Sequence, residues 1–505
     1  MTSSEIKVAM VTTEVVPFSK VGGLADVVGA LPGELEKLGC DMTIFTPLYS
    51  SIDRKKYGIE KVEETGVMQA RVGDAGFEFE LARAVMPGTG ITVYFIDNDH
   101  FYDRGNIYTT EEGEGFEDED ERTIFFNRAV IESVKALGMS PDVIHCNDFH
   151  SGLIPVYVAV EEEKDDLLGE AGTVFSVHNL AYQGIFEPDF IEKAGLDPRL
   201  FRPMSPFEFW GRVNVMKMAL MFSGLISTVS RTYAEEITTS EEYGYGLEGV
   251  LRYRKKDLIG ILNGIDPDAW DPSSDSLIPA EFSAKDLSGK DTDRTALLAE
   301  FGLPDEGGPV IGIVSRLVDQ KGFDILSEAF EKLMEMDLRM TILGTGQQKY
   351  HELYTELADA HPRKLGVRLE FNNRLAHLVE AGSDFFMMPS RYEPCGLNQM
   401  YSLRYGTMPI VRATGGLRDT VEELTLDGKR GNGFVFEEYT PTALMKAVER
   451  ALKFFEDGKA VTRARRRIMK EDHSWKASAV EYMALYARAR GKVGMRIDNS
   501  LTRPI

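Results

Sequence analysis

Two series of short apolar runs, each alternating with helical periodicity, set the limits on what this chain can fold into. The first series lies at 6–15 (IKVAMVTTEV), 41–46, 91–96, 142–146, 173–178 and 225–229. The second lies at 309–315, 339–343, 367–371, 384–388 and 407–411. Runs this short and this rich in β-branched residues suit strands buried on both faces of a parallel sheet. Between the first two, Leu24, Val27, Val28, Leu31, Leu35 and Leu38 recur at helical spacing. Further helices are predicted over 322–336, 347–360 and 397–405. Strand and helix in alternation give a doubly wound α/β sheet. The stretch 256–310, with Pro267, Pro272, Pro279 and Pro304, breaks the pattern. Two doubly wound domains joined near Asn263 are therefore predicted, with a cleft between facing sheets. Ligands of such sheets bind beyond the carboxyl ends of the strands. Pro32, inside the first helical run, predicts a kink or a split there.

At 505 residues and 43% hydrophobic, the chain can fill two or three full cores. Its 57 basic and 81 acidic residues leave a net charge of −24, which argues against nucleic acid and anionic membrane as partners. A neutral partner such as a sugar polymer is compatible with it. The three cysteines, Cys40, Cys146 and Cys395, form neither a disulfide framework nor a zinc spacing. No apolar run is long enough to span a bilayer. The first strand-like run begins at Ile6, which leaves no room for a signal or transit peptide. A soluble cytoplasmic protein is expected. The acidic stretch 111–121 (EEGEGFEDEDE) reads as a solvated loop.

The strand ends carry the candidate chemistry. After the first strand, Lys20 precedes Gly22 and Gly23 and then a helix. A strand-to-helix turn of this kind aims backbone N–H groups and the positive end of a helix at one spot, where phosphate binds; a plain turn needing positive φ is the alternative. The second domain repeats the placement in SRLVDQKG (315–322), whose Arg316 and Lys321 follow a strand. Two cations and the Lys20 loop would hold a diphosphate, charge-assisted hydrogen bonds contributing about 1.5–3 kcal/mol each; surface ion pairing is the alternative. LGTGQQ (343–348) offers Gly344 in a G-x-G, but Lys349 stands where a dinucleotide fingerprint needs glycine, which disfavours a nicotinamide site.

Glu393, Pro394, Cys395 and Gly396 form a loop before a helix, followed by a second strand that ends at Thr414, with Gly415 and Gly416 after it. Glu393 is placed to accept sugar hydroxyls, and Gly396 and the helix after it offer N–H groups to phosphate. Cys395 has no His base in its neighbourhood of sequence, so packing beside a ligand is the expected role. In the first domain, HCNDFHSGLIP (145–155) supplies Asp148 and His150, and SVHNLAYQGIF (176–186) supplies His178, Asn179, Tyr182 and Gln183. Carboxylate, imidazole, amide and phenol together suit carbohydrate recognition. The D-x-D at 97–99 could hold a divalent metal, but the cations above make one unnecessary.

Taken in order, KVGGLADVVGALP (20–32), HCNDFH (145–150), VHNLAYQG (177–184), YGYGLEG (243–249), LNGID (262–266), SRLVDQKG (315–322) and EPCGLNQMYSLRYGT with RATGGLRDT (393–420) make the chain resemble the bacterial glycogen synthase and starch synthase family over nearly its whole length. The resemblance implies a glycosyltransferase-B fold, that is, two doubly wound Rossmann-like α/β domains facing a cleft. It implies an acceptor-side domain over 1–258, a nucleotide-sugar-binding domain over 259–478, and a segment 479–505 crossing back to the first. It implies transfer of glucose from ADP-glucose to the non-reducing end of an α-1,4-glucan or maltooligosaccharide, with retention and without metal or other cofactor.

Carried over by motif, Lys20, Gly22 and Gly23 lie by the diphosphate, with Asp26 in the turn beyond. Arg316 and Lys321 neutralise the leaving group. Glu393 binds the donor glucose, Cys395 and Gly396 line its pocket, and Leu397 adds a backbone contact. His178 sits by the reacting carbon, and Asp148 by donor and acceptor hydroxyls. Asn263 lies in the interdomain crevice. Asn179, Gln183 and Gly344 complete the substrate-binding candidates, Tyr102 stacks on the acceptor, and Phe371 faces the base.

The chain departs from the common bacterial pattern at HCNDFH, where HAHDWH is usual, and at Phe371, where tyrosine is usual. Rival readings are a UDP-glucose transferase acting on a small acceptor, whose members often carry a second Glu where this chain has Tyr401, and a non-catalytic glucan-binding relative lacking Lys20, Arg316, Lys321 or Glu393. All four are present.

Overall fold

The computed structural model describes residues 6–110, 113–161, 165–490 and 492. The chain divides into two compact units. Of the described residues, one unit comprises those within 6–229, 234–261 and 475–492, the other 230–233 and 262–474.

In the first unit, seven parallel strands run in the order Leu258–Gly260, Leu225–Thr228, Gly172–Val177, Val143–Asn147, Ile6–Val11, Cys40–Pro47 and Thr92–Asp97. Ala75–Val85 then joins antiparallel at the edge, extended by Glu60–Lys61 and Met68–Val72. The order reverses between Ile6–Val11 and Val143–Asn147, where Val8 pairs with Val143 and Val11 with Cys146. The second unit is a parallel sheet in the order Leu365–Arg368, Arg339–Leu343, Val310–Val314, Phe385–Met388, Met408–Arg412 and Phe434–Phe436. It reverses between Val310–Val314 and Phe385–Met388, where Ile311 pairs with Phe385. Both sheets thus have the doubly wound order with one switch point.

Alternate residues of the second sheet serve two cores. Ile311, Ile313, Phe385, Met387 and Ile410 pack with Phe323, Leu326, Leu444 and Val448 of two helices on one face. Val310, Phe386 and Val411 pack with Leu297, Leu375, Leu378 and Val379 on the other. Both faces are therefore covered, which is why the strands read as continuous apolar runs. In the first unit the helix Trp475–Arg490 returns to the sheet, and Tyr486 Oη meets His145 Nδ1 at 2.8 Å.

Several local expectations are corrected. The helix Gly23–Lys37 runs through Pro32 without a break. Losing the bond to the Val28 carbonyl costs about 3 kcal/mol. Burial of Val27, Val28, Leu31 and Leu35 offsets that cost. The first strand stops at Val11 rather than at 15, because Thr12 Oγ1 turns onto the Glu14 carbonyl at 2.8 Å and Val15 bridges to Ser19. The predicted break at 256–310 contains a 13-residue helix, Ser288–Glu300, pinned by the buried Lys290 on the carbonyls of Ala381 and Tyr405. Of the acidic stretch, 111–112 lie outside the described residues. Its end is no loop: Glu119, Asp120 and Glu121 form the first turn of the helix Glu119–Ala136, where negative charge suits the helix dipole. No helix among the described residues is long and apolar enough to cross a membrane.

Candidate active site

At the switch point of the first unit, the chain leaves Val11 and meets the end of Val143–Asn147. Glu14, 3% exposed, receives the N–H of Val21 and the N–H of Gly22, the latter at 2.8 Å, and the Tyr108 hydroxyl at 2.7 Å. The expectation that the glycine turn keeps these N–H groups open for phosphate is therefore corrected. A carboxylate from the same chain already occupies two of them. Gly22 caps the helix that starts at Gly23. Lys20 pairs with Asp26 at 2.6 Å, on the partly exposed side of the turn. Sequence reasoning passed over Glu14 because it lay inside a run read as strand. A lone acid in an apolar run was the available signal.

Asp148 adopts φ 55°, a left-handed conformation uncommon for a residue with a side chain. It holds its Oδ1 under the His178 N–H at 2.8 Å. Burial of the carboxyl pushes its pKa up to about 7, against the lowering effect of the His178 and Asn179 amides. His178 Nε2 meets Asn147 Oδ1 at 2.9 Å, and burial lowers its pKa to about 4, so the imidazole is neutral at pH 7. A partly buried acid and a neutral imidazole thus stand side by side at consecutive strand ends.

Three candidates of the first unit have protein partners of their own. Gln183 is buried and its amide is engaged internally, on Leu180 O at 3.1 Å, Tyr245 O at 3.2 Å and Asn214 Nδ2 at 2.6 Å. Asn179 Oδ1 accepts the Ala181 N–H at 3.1 Å in a local turn. Tyr102 is 3% exposed, edge-on to Tyr49, and lines a small cavity together with Tyr108, Arg122 and His150. Its ring offers no face for stacking, because Phe101 and Phe125 enclose it. The D-x-D segment is structural: Asp97 takes a two-pronged pair from Arg54 and Asn98 caps the Phe101 N–H.

In the second unit the switch point brings Lys321 and Glu393 together. The Lys321 ammonium donates to Glu393 Oε2 at 2.6 Å, and Ser390 Oγ donates to the same oxygen at 3.0 Å. Gly322, at φ 81°, lets this loop lie on the Pro389 carbonyl, which an added β-carbon would approach to 2.0 Å. Arg316 reaches Gln320 Oε1 at 3.4 Å. Glu393 is 5% exposed, an acid that cannot be buried without a partner such as this lysine.

Around this pair, Gly396 precedes the helix Asn398–Arg404, which Leu397 caps. Gln399 Nε2 braces the loop on the Cys395 and Gly396 carbonyls at 3.1 and 3.0 Å. Burial pushes the Cys395 thiol up to about 12, so it is no nucleophile at neutral pH. Asn263 is buried, and its Oδ1 has no hydrogen-bond partner among the described residues. Gly344 has a packing role: an added β-carbon would lie 1.8 Å from the Ser315 carbonyl, and its N–H is given to Arg368 O at 3.0 Å. Phe371 stands 84% exposed just before the helix Asn373–Gly382. Tyr401 stacks on Trp270 at 3.8 Å, and Trp270 stacks in turn on His377 at 3.8 Å.

Comparison with known proteins gives a consistent picture. The starch synthase catalytic domain family matches residues 7–253, and the glycosyl transferases group 1 family matches residues 297–467. A glycogen synthase of Fervidobacterium nodosum is 43% identical over 493 residues, covering 97% of this chain and 100% of the relative. A glycogen synthase of Koribacter versatilis is 43% identical over 488 residues, covering 96% and 98%. Among solved structures, the catalytic domain of starch synthase IV from Arabidopsis thaliana, bound to ADP and acarbose, superposes with a TM-score of 0.88. It is 32% identical and covers 97% of this chain and 100% of that one.

Proposed function

This chain belongs to the glycogen synthase and starch synthase family of glycosyltransferases, and from that premise we propose that it moves glucose from ADP-glucose to the non-reducing end of an α-1,4-glucan with retention of configuration. The observation that carries the proposal is the Lys321–Glu393 pair, a cation and a carboxylate 2.6 Å apart at the switch point of the second sheet. Donor chemistry needs both there. Lys321, with Arg316, neutralises the diphosphate as it leaves. Glu393 accepts hydroxyls of the transferred glucose, and Cys395, Gly396 and Leu397 wall that sugar. The exposed Phe371 ring stacks on the base. The Asn263 oxygen, which has no hydrogen-bond partner among the described residues, receives a ligand hydroxyl or amide. In the first unit, Lys20 is the cation of the glycine turn, paired with Asp26 until a bound anion takes that place.

In the chemical step the bond from the anomeric carbon to the diphosphate oxygen breaks, and the bond to the acceptor 4-hydroxyl oxygen forms on the same face. The acceptor proton passes to the departing diphosphate. The lysine and arginine lower the barrier by stabilising charge that grows in the transition state. The neutral His178, its Nε2–H given to Asn147 Oδ1, accepts from a hydroxyl of the reacting sugar at Nδ1 without adding charge beside the developing oxocarbenium ion. Asp148, with its pKa near 7, accepts or donates at hydroxyls of donor or acceptor. A reducing, cytoplasmic setting is part of the same reading, supported by three buried free cysteines.

The test is incorporation of glucose into glycogen from ADP-glucose and from UDP-glucose, with Lys321→Ala alongside. Transfer from ADP-glucose that falls by orders of magnitude in the variant, with its unfolding transition kept, is expected. Near-normal turnover in the variant would overturn the assignment. Transfer from UDP-glucose alone would keep the site and change the donor.

A further inference from the structure

Of the four described residues other than glycine with positive φ, two lie in one loop, and both are large, apolar and exposed. Met204, φ 64°, is 94% exposed, and Trp210, φ 54°, is 85% exposed. A bulky side chain in the left-handed region is disfavoured, and such strain gathers at functional positions. The loop is nonetheless well fastened. Phe209 and Arg212 exchange both backbone hydrogen bonds, at 2.7 and 3.0 Å, so Trp210 and Gly211 form the tip of a two-residue hairpin. One carboxylate, Glu208, receives the N–H of Met204 at 3.2 Å and the N–H of Gly211 at 2.7 Å, fixing both strained turns. Lys217 ties the loop base through the Ser205 and Glu208 carbonyls.

The hairpin is joined rigidly to the loop that bears His178. Val213 and Asn214 pair with Phe186 and Ile185, and Asn214 Nδ2 donates to Gln183 Oε1 at 2.6 Å. The Phe209 ring lies against Gly246, where a β-carbon would stand 3.0 Å from it. An indole held out on a braced tip is a poor arrangement for the chain's own stability. It suits a ligand with flat apolar faces and hydroxyl edges.

We propose that the Trp210 hairpin is a glucan-binding subsite, the indole stacking on the face of a pyranose ring of an α-glucan chain while Glu208, Arg212 and Glu187 take its hydroxyls. It rests on the glucan-acceptor reading above and adds to it a second place of contact. Arg212 Nη2 and Glu187 Oε1 stand 3.0 Å apart at the foot of the hairpin, both largely exposed, as a hydroxyl-binding pair would be. A protein partner fits less well. A stable protein interface buries about 800 Å² on each side. Here the exposed large apolar side chains are Met204, Trp210 and, on the paired strand, Ile185, with Glu208, Arg212 and Glu187 beside them. The chain's charge of −24 also favours a neutral polymer over an acidic partner.

The test uses the full chain. Trp475 is buried and Trp270 is stacked between two rings, so acrylamide quenching of tryptophan fluorescence reports chiefly on Trp210. Maltoheptaose or glycogen is expected to protect that fluorescence. Trp210→Gly, which fits the positive φ, should weaken glycogen binding in affinity electrophoresis roughly ten-fold, the scale of one aromatic stacking contact. Its KM for ADP-glucose on maltotriose should not move, and Trp210→Phe should recover most of the binding. Unchanged glycogen affinity in Trp210→Gly, or quenching blind to glucan, would overturn the proposal. So would concentration-dependent self-association of the wild type that Trp210→Gly abolishes, since the tip would then be a protein contact. Failure of the wild type to transfer glucose at all would count against the synthase reading instead, and the binding arm would still decide the hairpin.

Discussion

The Glu14 carboxylate accepts the Gly22 N–H at 2.8 Å, so the glycine turn that opens the first long helix already carries an anion of the protein's own. The same carboxylate takes the Tyr108 hydroxyl, and it is almost wholly buried. Glu14→Ala leaves two backbone donors and a phenol without their acceptor. A loss of about 1–3 kcal/mol in urea unfolding is expected, with faster hydrogen exchange at Val21 and Gly22. Exchange at those two amides as slow as in the wild type would show that the carboxylate does not order the turn.

Phe371 offers most of its ring to solvent, and its removal costs the fold little. Phe371→Ala should leave the thermal midpoint within the range of ordinary surface changes, about 0.5 kcal/mol. If the ring stacks on the donor base, KM for the nucleotide sugar rises roughly ten-fold, the scale of one stacking contact. Unaltered donor KM would remove Phe371 from the donor site.

Gly344 works the other way. Its α-carbon sits where a β-carbon would come within 1.8 Å of the Ser315 carbonyl, and both partners are backbone at strand ends. Gly344→Ala should therefore destabilise by roughly 3 kcal/mol or more, a value seen only when packing is forced apart. Turnover should fall with it, because Ser315 leads directly to Arg316. A variant as stable as the wild type would mean that the loop yields freely.

His145 links the sheet to the returning helix, with Nε2 2.6 Å from Ser176 Oγ and Nδ1 2.8 Å from Tyr486 Oη. Burial lowers its pKa to about 3. The unfolded chain therefore binds a proton near pH 6.5 that the folded chain refuses. The stability this histidine confers is complete above pH 6.5 and is lost as pH falls toward 3, with a slope of about 1.4 kcal/mol per pH unit. His178 and His150, lowered to about 4 and about 3, act with the same sign. Asp148, raised to about 7, acts with the opposite one: its contribution is full below the ordinary carboxylate range and is lost as pH rises toward 7. Denaturant unfolding at pH 7.5 and pH 5.5 should show His145→Gln losing less stability than the wild type on acidification. Equal losses would place the acid sensitivity elsewhere.

How much of this was legible in the sequence can be judged residue by residue. The strand runs were readable because residues such as Ile311 and Val310 face two separate cores, leaving no polar alternation to confuse them. Lys321 and Glu393 were readable as strand-end residues, since a doubly wound sheet sends every strand's carboxyl end to one edge. At Pro32 the local cost was visible, and the packing that keeps the helix from splitting there was not. The surroundings of Gln183 and Tyr102 were not legible for a related reason: the partners of an amide or phenol, here Asn214 and Tyr245 or Phe125, come from distant parts of the chain.

The sequence by itself determined the α/β class, the family and the residue types at the strand ends, because periodicity and motif order are properties of the chain written out in one dimension. Only the tertiary structure decided which polar groups are spent. Glu14 occupies the glycine turn, Asp26 holds Lys20, Gln183 braces a hairpin, and Trp210 is held out on it. Hydrogen bonds and ion pairs join residues tens to hundreds of positions apart, as Lys321 to Glu393 and His145 to Tyr486. Burial then fixes which of them keep their charge. Neither separation in space nor removal from water is encoded at a single position, so both had to be read from the folded chain.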